Sequence, residues 1–221
     1  MAFALIRPTS REWTGDVPTD EDAVARADRV ALLLRADYER WSRWAFGLLA
    51  FAATALGVFI VGGMLDAIAA LGSAATVDVV LIAVSALIAI AGAAALLRLW
   101  QTGRVLTRAA TGWLRLPYRA GGRTRRAGGW VLTRTANLDP PIFARLITAT
   151  LALLLAIGGI ALAARDLAGA SFTGLSAAAG VIGIVALACG LGQAGGVIRI
   201  VSGVSEGDPL WSRIRSGLAR R

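Results

Sequence analysis

Four stretches of this chain run for about 20 residues or more without a charge: Trp44 to Leu65, Val79 to Leu97, Leu146 to Ala164, and Leu167 to Ile198. A helix rises ~1.5 Å per residue, so a run of about 20 apolar residues covers a hydrocarbon layer of ~30 Å. Backbone N–H and C=O groups in lipid find no water, and a helix satisfies them within one segment. The runs predict an all-α polytopic membrane protein with four transmembrane helices in two hairpins. A mean hydropathy of +0.66, with 57% hydrophobic residues, fits lipid as the principal solvent.

The basic residues set the expected orientation. All 23 are arginine, since the chain contains no lysine. Seven lie in the N-terminal segment to Arg43, ten between Arg98 and Arg145, and five from Arg199 onward. The two short connections hold only Arg165, against Asp66, Asp78 and Asp166. Cytoplasmic segments accumulate Lys and Arg, so both termini and the central connection are expected in the cytoplasm, with two short outer turns. Trp41, Trp44, Trp100, Trp113 and Trp130 lie toward the same side, where an apolar ring with a polar N–H suits the headgroup layer. The expected location is a cytoplasmic (inner) membrane, and arginine in place of lysine suits a bacterial genome rich in G and C.

What is missing narrows the chemistry. There is no histidine, so neither an imidazole-ligated haem nor a histidine zinc site is expected. Without lysine there is no retinal or pyridoxal Schiff base. Cys189 stands alone and forms no intrachain disulfide. No cofactor is expected, and no nucleic acid: a basic run on a membrane protein has a simpler explanation in topology.

Six segments follow. Residues 1–18, with Pro8, Gly15 and Pro18, read as an irregular cytoplasmic tail. Residues 19–43 read as an amphipathic juxtamembrane helix: Thr19 as N-cap, acids at 20–22, then Val24, Ala27, Ala31, Leu34, Tyr38 and Trp41 at spacings of three and four. Nothing marks a break between it and the first span. Residues 44–98 form the first transmembrane hairpin. Residues 99–139 form a basic loop containing an amphipathic inner-interface helix, either a continuation of the second span or an elbow, with Leu99, Leu106, Trp113 and Leu116 on one face, Gln101, Arg104, Arg108 and Arg115 on another, and Pro117 ending it. Residues 140–199 form the second hairpin, opened by Asp139-Pro140-Pro141, with Arg145 expected to snorkel back to the cytoplasm. Residues 200–221 are a basic tail. The acids Asp66 and Asp166 precede inner arginines Arg98 and Arg199 by 32 and 33 positions, a weak internal repeat.

Three groups of residues are candidates for function. Arg104, Arg108, Arg115, Arg119, Arg123, Arg125 and Arg126, the last three in the glycine-rich stretch PYRAGGRTRRAGGW, are expected to bind anionic headgroups. Small residues at helical spacing mark packing faces: Gly47, Ala50, Thr54 and Gly57 in the first span, and Ala179, Gly183, Ala186 and Gly190 in the fourth, where spans meet by close backbone approach. Asp66, Asp166 and Gln193 are the polar groups able to line a transport path, or else to act as caps and interhelical ties. The expected function is that of a non-catalytic membrane subunit, an anchor, adaptor or assembly component, binding anionic phospholipid and a protein partner. The alternative is a small homo-oligomeric channel or carrier.

Overall fold

A computed structural model describes residues 5–18, 20–121, 140–169 and 171–204, with residues 21 and 200–204 described through their backbone. All regular structure among these residues is helical: α1 (Pro8–Arg11), α2 (Glu21–Tyr38), α3 (Trp41–Leu71), α4 (Thr76–Arg119), α5 (Pro140–Ala168) and α6 (Gly174–Val204). Four helices are long and apolar enough to cross a membrane, in agreement with the four uncharged runs. The chain divides into two compact units. An apolar unit comprises Trp44–Leu99 and Ile147–Gln193; an arginine-rich unit comprises Met1–Arg43, Trp100–Leu146 and Ala194–Arg221.

Helix boundaries follow local chemistry. The amphipathic helix does not run into the first span: α2 ends at Tyr38, the Glu39 amide closes on the Arg35 carbonyl at 2.9 Å, and α3 begins at Trp41. Gly72, at φ 71°, ends α3 in the left-handed region that an L side chain resists, and its amide donates to the Ile68 carbonyl. The Ala75 amide donates to Asp78 Oδ2 at 2.9 Å, the reach-back half of a capping box at the start of α4. The inner amphipathic segment continues the second apolar run, since α4 is one helix of 44 residues. Pro117 does not end it: α4 continues to Arg119, and Gly121 follows in the left-handed region at φ 73°.

In the apolar unit the small-residue faces are contact faces. Ala50, Thr54 and Gly57 are buried, and they meet Ser85, Ala89 and Gly92 of α4. A Cβ placed on Gly57 would stand 2.9 Å from the Ala89 Cβ; one on Gly92 would stand 2.7 Å from the Ala50 carbonyl oxygen. A Cβ on Gly47 would lie 3.6 Å from the Leu99 side chain of α4, an ordinary van der Waals distance. Ala179, Gly183, Ala186 and Gly190 are likewise buried, against Ala149, Leu153, Ala156, Gly159 and Ile160 of α5. At Gly159 a Cβ would lie 2.5 Å from the Ala179 carbonyl oxygen, so the two backbones touch there. Large side chains such as Leu49, Leu56, Leu87, Ile157 and Ile184 point outward. Apolar surface gains little by leaving lipid for protein, so close backbone packing holds such helices together.

The arginine-rich unit has a core of the kind found in water-soluble domains. Ala23, Ala27, Val30, Ala31, Leu34 and Tyr38 of α2 pack against Leu106, Ala109, Ala110, Trp113 and Leu116 of α4. The predicted stripe on α2 is thus covered from within the chain, except that Val24 is half-buried and Trp41, beyond the break, is exposed.

Candidate functional site

The N-terminal segment, expected to be an irregular tail, is a docked strap. Trp13 lies edge-on to Trp113, centroids 5.7 Å apart, and the Trp113 indole N–H donates to the Trp13 carbonyl at 3.2 Å. The Arg7 amide donates to Asp37 Oδ2 at 2.9 Å, and the Asp37 carboxylate, almost fully buried, also accepts from Arg40 at 3.0 Å. Ser10, within α1, is fully buried. No local pattern announces this strap, since Ile6, Trp13 and Val17 show no helical period.

Two arginines at the roots of long helices complete this cluster. Arg43 Nη1 donates to the Leu5 carbonyl and Nη2 to Thr102 Oγ1, both at 2.6 Å. Glu39, four residues earlier, pairs instead with Arg35 at 2.5 Å. Arg145 is buried within the arginine-rich unit. Its guanidinium lies 4.5 Å from the centre of the Tyr38 ring, and Nη2 donates to the Tyr38 carbonyl at 2.7 Å. The free carbonyl at the end of α2 and the ring face replace the water that Arg145 would otherwise seek.

The predicted headgroup arginines divide by position. Arg104 is half-buried with its guanidinium 4.4 Å from the Trp100 ring centre; Arg108 and Arg119 are exposed, and Arg115 is half-buried. Arg123, Arg125 and Arg126 lie outside the described residues. A cavity of about 300 Å³ opens beside Val17, Gly112, Leu116, Arg119 and Ala120.

The three polar candidates of the apolar unit each join one helix to another. Asp66 of α3 accepts from the Gly174 amide at 2.5 Å and the Leu175 amide at 2.9 Å, so its carboxylate caps the start of α6. Gly62, one turn earlier, brings the backbones together: a Cβ there would lie 2.5 Å from the Gly174 carbonyl oxygen. Asp166 of α5 accepts from the Ser176 hydroxyl and from Arg165 Nη2 at 2.8 Å. Gln193 Oε1 accepts from Thr148 Oγ1 at 2.8 Å, while the Trp44 indole N–H donates to that same Thr148 oxygen at 3.4 Å. Thr54 donates to the Ala50 carbonyl within its own helix. The two acids of the apparent repeat are therefore not equivalent, as Asp66 bonds backbone amides and Asp166 a hydroxyl.

No family model, curated protein or solved structure matches this chain.

Proposed function

We propose that the protein is a non-catalytic integral membrane subunit, an anchor or assembly component, with its arginine-rich unit in the cytoplasm. The observation that carries this reading is the use made of polar groups in the apolar unit. Asp66 and Gln193, the residues best suited to line a path, are engaged in ties between helices. A conduction path needs polar groups that face water or a permeant ion. The distribution of arginines supports a cytoplasmic arginine-rich unit, and with the α2 stripe covered internally, the outward arginines, Arg108 and Arg119 among them, are the surface for anionic phospholipid and for a protein partner.

Reconstitution into liposomes tests the proposal. The purified chain is expected to give no ion or small-solute flux above protein-free vesicles, and Asp66→Asn and Gln193→Leu are expected to change nothing. Flux that either substitution alters would overturn the reading in favour of a channel or carrier. Orientation is tested by labelling single introduced cysteines in intact cells: a cysteine replacing Gly72 should react from outside, and one replacing Arg119 should not.

A further inference from the structure

Where α4 leaves its apolar run, one face carries Leu97, Trp100, Gln101, Arg104 and Arg108, at the spacings of three and four that align side chains on a helix. The opposite face carries Leu106, Ala110 and Trp113, all in the core beneath α2. The outward face is therefore not the one that folds the unit. Leu97, Trp100 and Arg108 are exposed, and Arg104 is half-buried against the Trp100 ring. Neither Arg104 nor Arg108 forms an ion pair among the described residues.

The order along this face matches the order of layers at a bilayer surface. Each headgroup layer is about 5–7 Å thick outside the hydrocarbon. At ~1.5 Å per residue, Trp100 stands about 4–5 Å beyond Leu97, Arg104 about 10 Å and Arg108 about 16 Å. Side chains on a helix lean toward its N-terminus, which for α4 is back toward the apolar run. The contact of Arg104 with the ring four residues before it displays that lean. Both guanidiniums thus return toward the phosphate level, with Trp100 beneath them. Arg115 and Arg119 stand about 27 and 33 Å beyond Leu97, roughly two to three screening lengths past the headgroup layer.

We infer that Trp100, Arg104 and Arg108 form a seat for the phosphate of an anionic phospholipid headgroup, and that the arginines farther along α4 take no part in it. This rests on the membrane reading proposed above and narrows it to one face of one helix. Guanidinium groups bind phosphate oxygens through paired N–H donors, and the indole ring holds the nearer guanidinium by its face.

The test uses the full chain in vesicles of phosphatidylcholine containing increasing fractions of brominated phosphatidylglycerol. Bromine quenches nearby tryptophan, and the difference between the wild type and Trp100→Phe reports Trp100 alone. Half-maximal quenching of that difference is expected well below the fraction that random mixing requires. Arg104→Gln with Arg108→Gln should shift it toward random mixing by about fivefold per arginine, the equivalent of ~1 kcal/mol each. Arg104→Lys with Arg108→Lys, which keeps the charge but not the paired donors, should recover only part of the preference, and Arg115→Gln with Arg119→Gln should leave it intact. Equal effects from the near and far arginine pairs would overturn the inference in favour of a diffuse field. Quenching that follows random mixing and ignores Arg104 and Arg108 would overturn it while leaving the membrane reading in place. Displacement by millimolar inorganic phosphate would mean the seat takes free phosphate. If brominated phosphatidylcholine and phosphatidylglycerol both failed to quench Trp100, the membrane reading would fall as well.

Discussion

Replacing Asp66 with alanine tests how α6 is held. The side chain accepts from the Gly174 and Leu175 amides, two of the donors that a helix start leaves without internal partners. Losing an acidic cap costs about 0.5–2 kcal/mol, and losing its charge at the positive end of a helix a further ~0.3–1 kcal/mol. The carboxylate is half-buried, which places Asp66→Ala at about 1–3 kcal/mol. Asp66→Asn keeps an acceptor oxygen and should lose only the charge contribution. Amide hydrogen exchange in detergent micelles reads the effect where it arises. Exchange at Gly174 and Leu175 should accelerate roughly five- to a hundredfold in the alanine variant, because each 1.4 kcal/mol is a factor of about ten. The Asp78→Ala variant, which touches only the Ala75 amide, should leave both positions unchanged. If a folded Asp66→Ala protein exchanged these two amides at the wild-type rate, the reasoning that α3 caps α6 would be refuted.

Trp113→Ala should cost the arginine-rich unit about 3–5 kcal/mol, since it empties a fully buried ring position and removes the bond to Trp13; limited proteolysis should then cut between Leu5 and Val17. Gly183→Val should force α5 and α6 apart, because even a Cβ would lie 2.9 Å from the Ile160 backbone nitrogen, and a loss of about 1–3 kcal/mol should appear as a lower thermal midpoint with helix content retained. Gln193→Leu should be mild, about 0.6 kcal/mol, the mean for a hydrogen bond between membrane helices, and reversible unfolding in mixed micelles would register it.

The long helices were legible because each is written as about 20 or more apolar residues without a charge, a length and composition sufficient to cross a membrane. Half of each packing face was legible too. Gly57 and Gly183 stand out among bulky neighbours, whereas the counterpart of Gly57, Ala89 on α4, lies in an alanine-rich stretch that gives no contrast. Asp66 read as a residue at a span end, but its partners are 108 and 109 positions away, beyond any local pattern. Arg145 read as a snorkelling cation, since sequence alone does not reveal that Tyr38 offers it both a carbonyl and a ring. The strap from Leu5 to Pro18 was hidden for a similar reason: it is held by single anchors such as Trp13 and the Arg7 amide rather than by a repeating pattern.

The core that α2 builds with α4 has a consequence for how the chain is made. A ribosome delivers α2 first, and Trp113 emerges about eighty residues after Leu34, some 4–16 s later at about 5–20 residues per second. Gly196, where an added Cβ would run into the Tyr38 hydroxyl, arrives later still. During that interval a greasy α2 has no mate, so the newborn polypeptide needs either a chaperone or the adjacent bilayer as temporary shelter.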